Sequence, residues 1–86
     1  MPTLSIFYGI VIQIYWFDHA PPHIHARYGE HEAQIDIQAV ALLEGSLPRR
    51  AKAMVLKWTR EHQTELMVAW EAASAGVHPE KIDPLP

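Results

Sequence analysis

His23-Ile24-His25-Ala26-Arg27-Tyr28-Gly29-Glu30-His31-Glu32-Ala33-Gln34-Ile35-Asp36 is the stretch that decides the fold. Folded at Gly29-Glu30, it pairs Arg27 with Glu32, Ala26 with Ala33, His25 with Gln34, Ile24 with Ile35 and His23 with Asp36. Every pair matches polar with polar or apolar with apolar. Glycine in the first position of a two-residue loop suits a type II′ hairpin turn. A slip of one residue would turn one strand over and destroy the match, so the pattern fixes register as well as pairing. Ile24 and Ala26 then face a core. His23, His25 and Arg27 face the other way, beside Asp36, Gln34 and Glu32.

The chain on either side extends this sheet. Residues 3–7 read as a strand, and Gly9 punctuates the chain so that a connection at Tyr8-Gly9 makes a hairpin. Residues 10–17 alternate, with Ile10, Ile12, Ile14 and Trp16 on one face and Val11, Gln13, Tyr15 and Phe17 on the other. Pro21 and Pro22 forbid both helix and ladder donation, which makes residues 18–22 a stiff loop. The second strand of the decisive hairpin is expected over 31–38, followed by a connection to Ser46. Ser46 is the expected helix N-cap, with Pro48 in the first turn. From about 47 to 75, Ala51, Met54, Val55, Trp58, His62, Leu66, Ala69, Trp70 and Ala73 form one helical stripe. Trp58, Trp70 and His62 on it read as core. Gly76 ends the helix, and residues 77–86 form an extended tail that packs down through Ile82 and Leu85. The expected architecture is α+β: a largely antiparallel four-stranded sheet (about 3–7, 10–17, 23–28, 31–38) against one long C-terminal helix, in a single domain spanning 1–86.

Composition narrows the class. Eighty-six residues bury only about 60–65% of their unfolded surface, so the core is small and a homodimer is a live option. With 49% hydrophobic and 20% charged residues the chain is globular rather than disordered. It has no cysteine, which excludes disulfides and thiolate metal sites. Neither a signal peptide nor a membrane-spanning run is visible, and the expectation is a cytoplasmic protein without membrane contact. The net charge of -3 conceals a run in which Arg49, Arg50, Lys52, Lys57 and Arg60 have no acid among them.

Two groups of residues carry chemistry. Alternate strand positions put His23 and His25 on one face, about 6–7 Å apart along the strand. This is a His-x-His arrangement that suits a divalent metal such as zinc. His19 or Asp18 in the stiff loop is placed to supply a third ligand, and Asp36 to ligate or to orient an imidazole. The same groups admit two other readings. The histidines can simply be paired with cross-strand neighbours, or His23, His25 and Arg27 can perform acid–base chemistry on a phosphodiester. Arg27 already has a structural partner in Glu32. On the helix, Arg49, Arg50, Lys52, Lys57 and Arg60 fall within an arc of about 160° opposite Trp58. Cations early in a helix oppose its dipole, so nucleic acid phosphates or an acidic partner protein would reward them; a plain solvated face is the other reading.

The chain closely resembles the bacterial family catalogued as domain of unknown function 4160. The resemblance is carried by Phe7-Tyr8-Gly9, Asp18-His19-x-Pro21-Pro22-His23-x-His25-x-x-Tyr28, Gly45-x-Leu47-Pro48-x-Arg50, Trp58, His62, Glu65-Leu66, Trp70 and Ile82-x-Pro84-Leu85, with no departure among them. The resemblance implies no established activity. It implies a gene neighbourhood shared with the family catalogued as domain of unknown function 2442, an arrangement that has prompted toxin–antitoxin proposals. The expected function is therefore a small binding and regulatory protein, part of a toxin–antitoxin-like pair with a protein partner. The alternative is a metal- or histidine-dependent, ribonuclease-like enzyme at His19, His23 and His25.

Overall fold

Residues His23–Tyr28 and His31–Asp36 form the expected hairpin, and all five anticipated pairs are present with Tyr28 opposite His31 added at the turn. In the computed structural model, which describes residues 1–86, these are the third and fourth of five strands. β1 (Thr3–Phe7), β2 (Ile10–Gln13), β3 (His23–Tyr28), β4 (His31–Asp36) and β5 (Ala41–Gly45) are followed by α1 (Arg49–Glu61) and α2 (Gln63–Ser74). Each strand pairs antiparallel with the next, giving a meander in the order β1-β2-β3-β4-β5.

The fifth strand corrects the four-strand expectation. Asp36 Oδ1 accepts the N–H groups of Gln38 and Ala39, each at 2.9 Å, and the Asp36 carbonyl accepts the N–H of Val40. This side-chain-stabilised turn ends β4 at Asp36 instead of residue 38 and sends the chain back beside it. Gly45 closes that pairing with φ 80°. A Cβ there would collide with the backbone carbonyl of Glu32, so the close approach of β5 to β4 requires glycine.

β2 is also shorter than the expected 10–17. The Ile14 N–H still reaches the Pro2 carbonyl, but beyond it Phe17 takes a φ of 52° and its N–H bonds to the Ala73 carbonyl of α2 at 3.2 Å. The chain therefore leaves the sheet and folds back toward the helices. The single long helix becomes two. His62, with φ -121° and ψ 24°, interrupts it and shares its N–H between the carbonyls of Trp58 and Thr59. Just before the break, Thr59 Oγ1 donates to the Val55 carbonyl at 2.8 Å, a back-bond of the kind that bends helices. Pro48 occupies the N-cap without a side-chain cap, while the Ser46 N–H bonds to the Glu32 carbonyl. At the far end, Val77 N–H to Ala72 O and Gly76 N–H to Ala73 O form a Schellman closure, as the expected glycine stop requires.

The break leaves the apolar stripe intact. Ala51, Val55, Trp58, Leu66, Ala69, Trp70 and Ala73 are buried against the isoleucines of the sheet. Burying each large aliphatic side chain contributes about 1.5–3 kcal/mol. The tail straps the outer edge: Ile82 N–H bonds to Leu4 O at 2.8 Å, Trp58 Nε1 donates to Asp83 O at 2.8 Å, and Tyr8 OH reaches Pro86 O at 2.7 Å. No helix is long and apolar enough to cross a membrane.

Candidate metal centre

His23 and His25 do alternate onto one face of β3, but that face is not a solvated one. They are 1% and 4% exposed. The segment that leaves β2 covers them. Tyr15 stacks on the His25 ring with centroids 3.7 Å apart and planes 6° from parallel, and Asp18 closes over both imidazoles. Trp70 of α2 reaches the His23 ring at 5.3 Å, connecting this corner to the core.

Asp18 Oδ2 lies 2.9 Å from His23 Nε2 and 3.4 Å from His25 Nε2. His23 Nδ1 donates to the Pro21 carbonyl at 2.7 Å, an assignment forced because a carbonyl only accepts. The neutral His23 ring would therefore present a bare Nε2 lone pair to a carboxylate oxygen. Although that oxygen is 2.9 Å away, Nε2 has no hydrogen-bond partner, because the oxygen lies off its axis. A proton on Nε2 relieves the repulsion only along a poorly directed contact. A cation between the groups relieves it for all three.

The spacing suits such an ion. Ligand atoms bound at 2.0–2.1 Å around a tetrahedral centre sit about 3.3 Å from one another, and the line between two of them runs about 35° off each lone pair. One donor atom from each of Asp18, His23 and His25 lies within 4.8 Å of the others. The His23 Nδ1–H to carbonyl bond is also the kind of outer contact that fixes the tautomer of a ligating histidine. His25 Nδ1 has only Glu32 Oε2 at 3.8 Å and is otherwise unpartnered. Burial raises the Asp18 carboxyl pKa, but the His19 backbone N–H, the His25 hydrogen bond and the electrostatic influence of His23 and His19 outweigh it and hold it below its ordinary value. Asp18 is thus an anion poised beside two nitrogen donors.

The remaining sequence candidates stand elsewhere. The His19 side chain is 85% exposed, with Nε2 3.9 Å from Asp18 Oδ1 and its ring 5.8 Å from that of His23. It flanks the group from outside. The Asp36 carboxylate is engaged in the β4–β5 turn and not in the histidine group. Arg27 pairs with Glu32 at 3.7 Å, both half exposed. Arg49, Arg50, Lys52, Lys57 and Arg60 are all exposed on α1.

A five-stranded antiparallel meander backed by two helices, with a buried Asp-His-His group at one corner, defines a small α+β protein able to hold one metal ion. The chain belongs to the family described as domain of unknown function DUF4160, whose family model matches residues 9–71. No curated protein and no solved structure matches it. The matched span contains the whole Asp18-His23-His25 group.

Proposed function

We propose that this protein is a small binding and regulatory module whose residues 14–22 are fixed against the sheet by a divalent transition metal held by Asp18, His23 and His25. The observation that carries this reading is the gathering of two buried imidazoles and the partly buried Asp18 carboxylate within 4.8 Å, with His23 Nε2 facing a carboxylate but lacking a hydrogen bond. Two imidazoles and one carboxylate suit zinc and its neighbours rather than calcium or magnesium. The ion's contribution is cohesion. None of the four surface clefts is lined by Asp18, His23 or His25. A general acid or base must come within hydrogen-bond reach of its substrate, so these residues support a structural ion better than a ribonuclease-like site.

The regulatory half of the reading is that the module works with a protein partner in a toxin–antitoxin-like pair. It is supported by the gene neighbourhood that accompanies the family. Elemental analysis of the purified protein, with zinc titration of wild type, Asp18→Asn and His23→Gln, tests the metal. One ion per chain in wild type and none in either variant is expected; metal-free wild type that also fails to take up zinc would refute it. Size-exclusion chromatography after co-expression with the neighbouring gene product tests the partner, and separate elution at micromolar concentration counts against it.

A further inference from the structure

The outer face of α1 has no part in the metal centre or the core. Arg49, Arg50, Lys52, Lys57 and Arg60 are all solvent-exposed there. Only Lys57 has a carboxylate partner, Glu61 at 3.4 Å, which leaves four cations without an ion pair. The first turn contains no acid and Pro48 at the N-cap offers no side-chain acceptor to its N–H groups, so Arg49 and Arg50 sit against the positive end of the helix dipole. Nothing inside the fold compensates this arrangement.

From Arg49 to Arg60 the cations extend about 16 Å along the helix axis. That exceeds the roughly 10 Å screening length at 0.1 M salt, so the acids elsewhere on the molecule do little to cancel the local field. The composition of the face also distinguishes between polyanions. Protein interfaces are anchored by buried aromatic or large apolar residues. Between these cations stand only Ala53 and the half-buried Leu56. Phosphate binding needs no such anchor: cations with free donors suffice, and arginine presents a planar fork to phosphate oxygens.

We propose that the outer face of α1 binds the phosphate backbone of nucleic acid. The contact is electrostatic and independent of base sequence, with Arg49, Arg50, Lys52 and Arg60 each meeting a phosphate.

Fluorescence anisotropy with labelled 20-nucleotide RNA, single-stranded DNA and duplex DNA tests this on the full chain. Four phosphate contacts predict that raising salt from 50 to 200 mM weakens binding about 50-fold for single strands and about 150-fold for duplex. The combined variant Arg49→Ala, Arg50→Ala, Lys52→Ala, Arg60→Ala should lose at least about tenfold in affinity at 50 mM salt and most of the salt slope. The charge-preserving variant Arg49→Lys, Arg50→Lys, Lys52→Arg, Arg60→Lys should keep both. Circular dichroism melts establish that the variants remain folded. Absence of binding at 50 mM salt with protein at about 100 µM would overturn the proposal, because non-specific affinities fall at 10⁻⁴–10⁻⁶ M even at physiological salt. Unchanged binding by the alanine variant would overturn it too. Equal or tighter binding of a labelled polyglutamate would reassign the face to an acidic protein and overturn it as well.

Discussion

The histidine corner and the outer face of α1 hold polar residues under opposite conditions. At the corner, Asp18, His23 and His25 are withdrawn from water and face one another. On α1, four cations stand in water and face nothing. Buried polar groups must be satisfied locally or they cost stability, whereas exposed charges cost little and act at a distance. The difference separates two roles: the corner holds the chain together, and the helix face is free to address something outside it.

Substitutions should break this contrast in graded steps. His23→Ala should have the largest effect, lowering stability by about 2–4 kcal/mol through a cavity beside Trp70 and the loss of the bond to Pro21, as read by urea denaturation. Asp18→Asn keeps the shape but removes the charge that would hold a metal ion; loss of zinc uptake is expected, read by calorimetry. Saturating zinc at 100 times its dissociation constant should add about 2.7 kcal/mol to wild type, raising the melting temperature by about 10–20 °C, and should leave Asp18→Asn unmoved. Tyr15→Ala removes a stacked ring and should cost about 0.5–1.5 kcal/mol beyond its buried area in the same denaturation assay. At the other end of the scale and with the opposite sign, Arg49→Glu should stabilise the protein by about 0.3–1 kcal/mol at low salt, because an acid in the first turn favours the dipole. A stabilised protein that binds nucleic acid less well would show that α1 holds its cations for something other than folding.

What the sequence disclosed follows the range of the interactions involved. The β3–β4 register was legible because each cross-strand pair matches in kind and Gly29 takes the φ of 59° its turn requires. The helical stripe was legible from 3.6-residue spacing, but that spacing runs on unbroken through His62, so the interruption left no trace in it. β5 was hidden because Ala41-Leu42-Leu43-Glu44 alternates poorly. Its signal was Asp36, whose side chain caps the turn that creates the strand.

The site divides in the same way. Alternation brought His23 and His25 onto one face. Whether Asp18 or its neighbour His19 joins them depends on where the chain turns after β2, which is set by Phe17 and its bond to α2. That contact spans more than fifty residues of sequence and is written in no local pattern. Burial of the pair was hidden for the same reason, since Tyr15 reads as one more strand residue until the chain folds back over it.

The tail that bonds to β1 has a consequence for how the sheet can grow. Ile82 occupies the Leu4 carbonyl on the outer side of β1, while β5 ends the sheet at the opposite side with no further strand. An unpaired strand is a template for another chain, and two such edges on one molecule would allow unlimited stacking. With Ile82 on the Leu4 carbonyl, a strand from another chain would have to displace the tail before it could pair along β1. The strap therefore guards one edge of the sheet against strand addition.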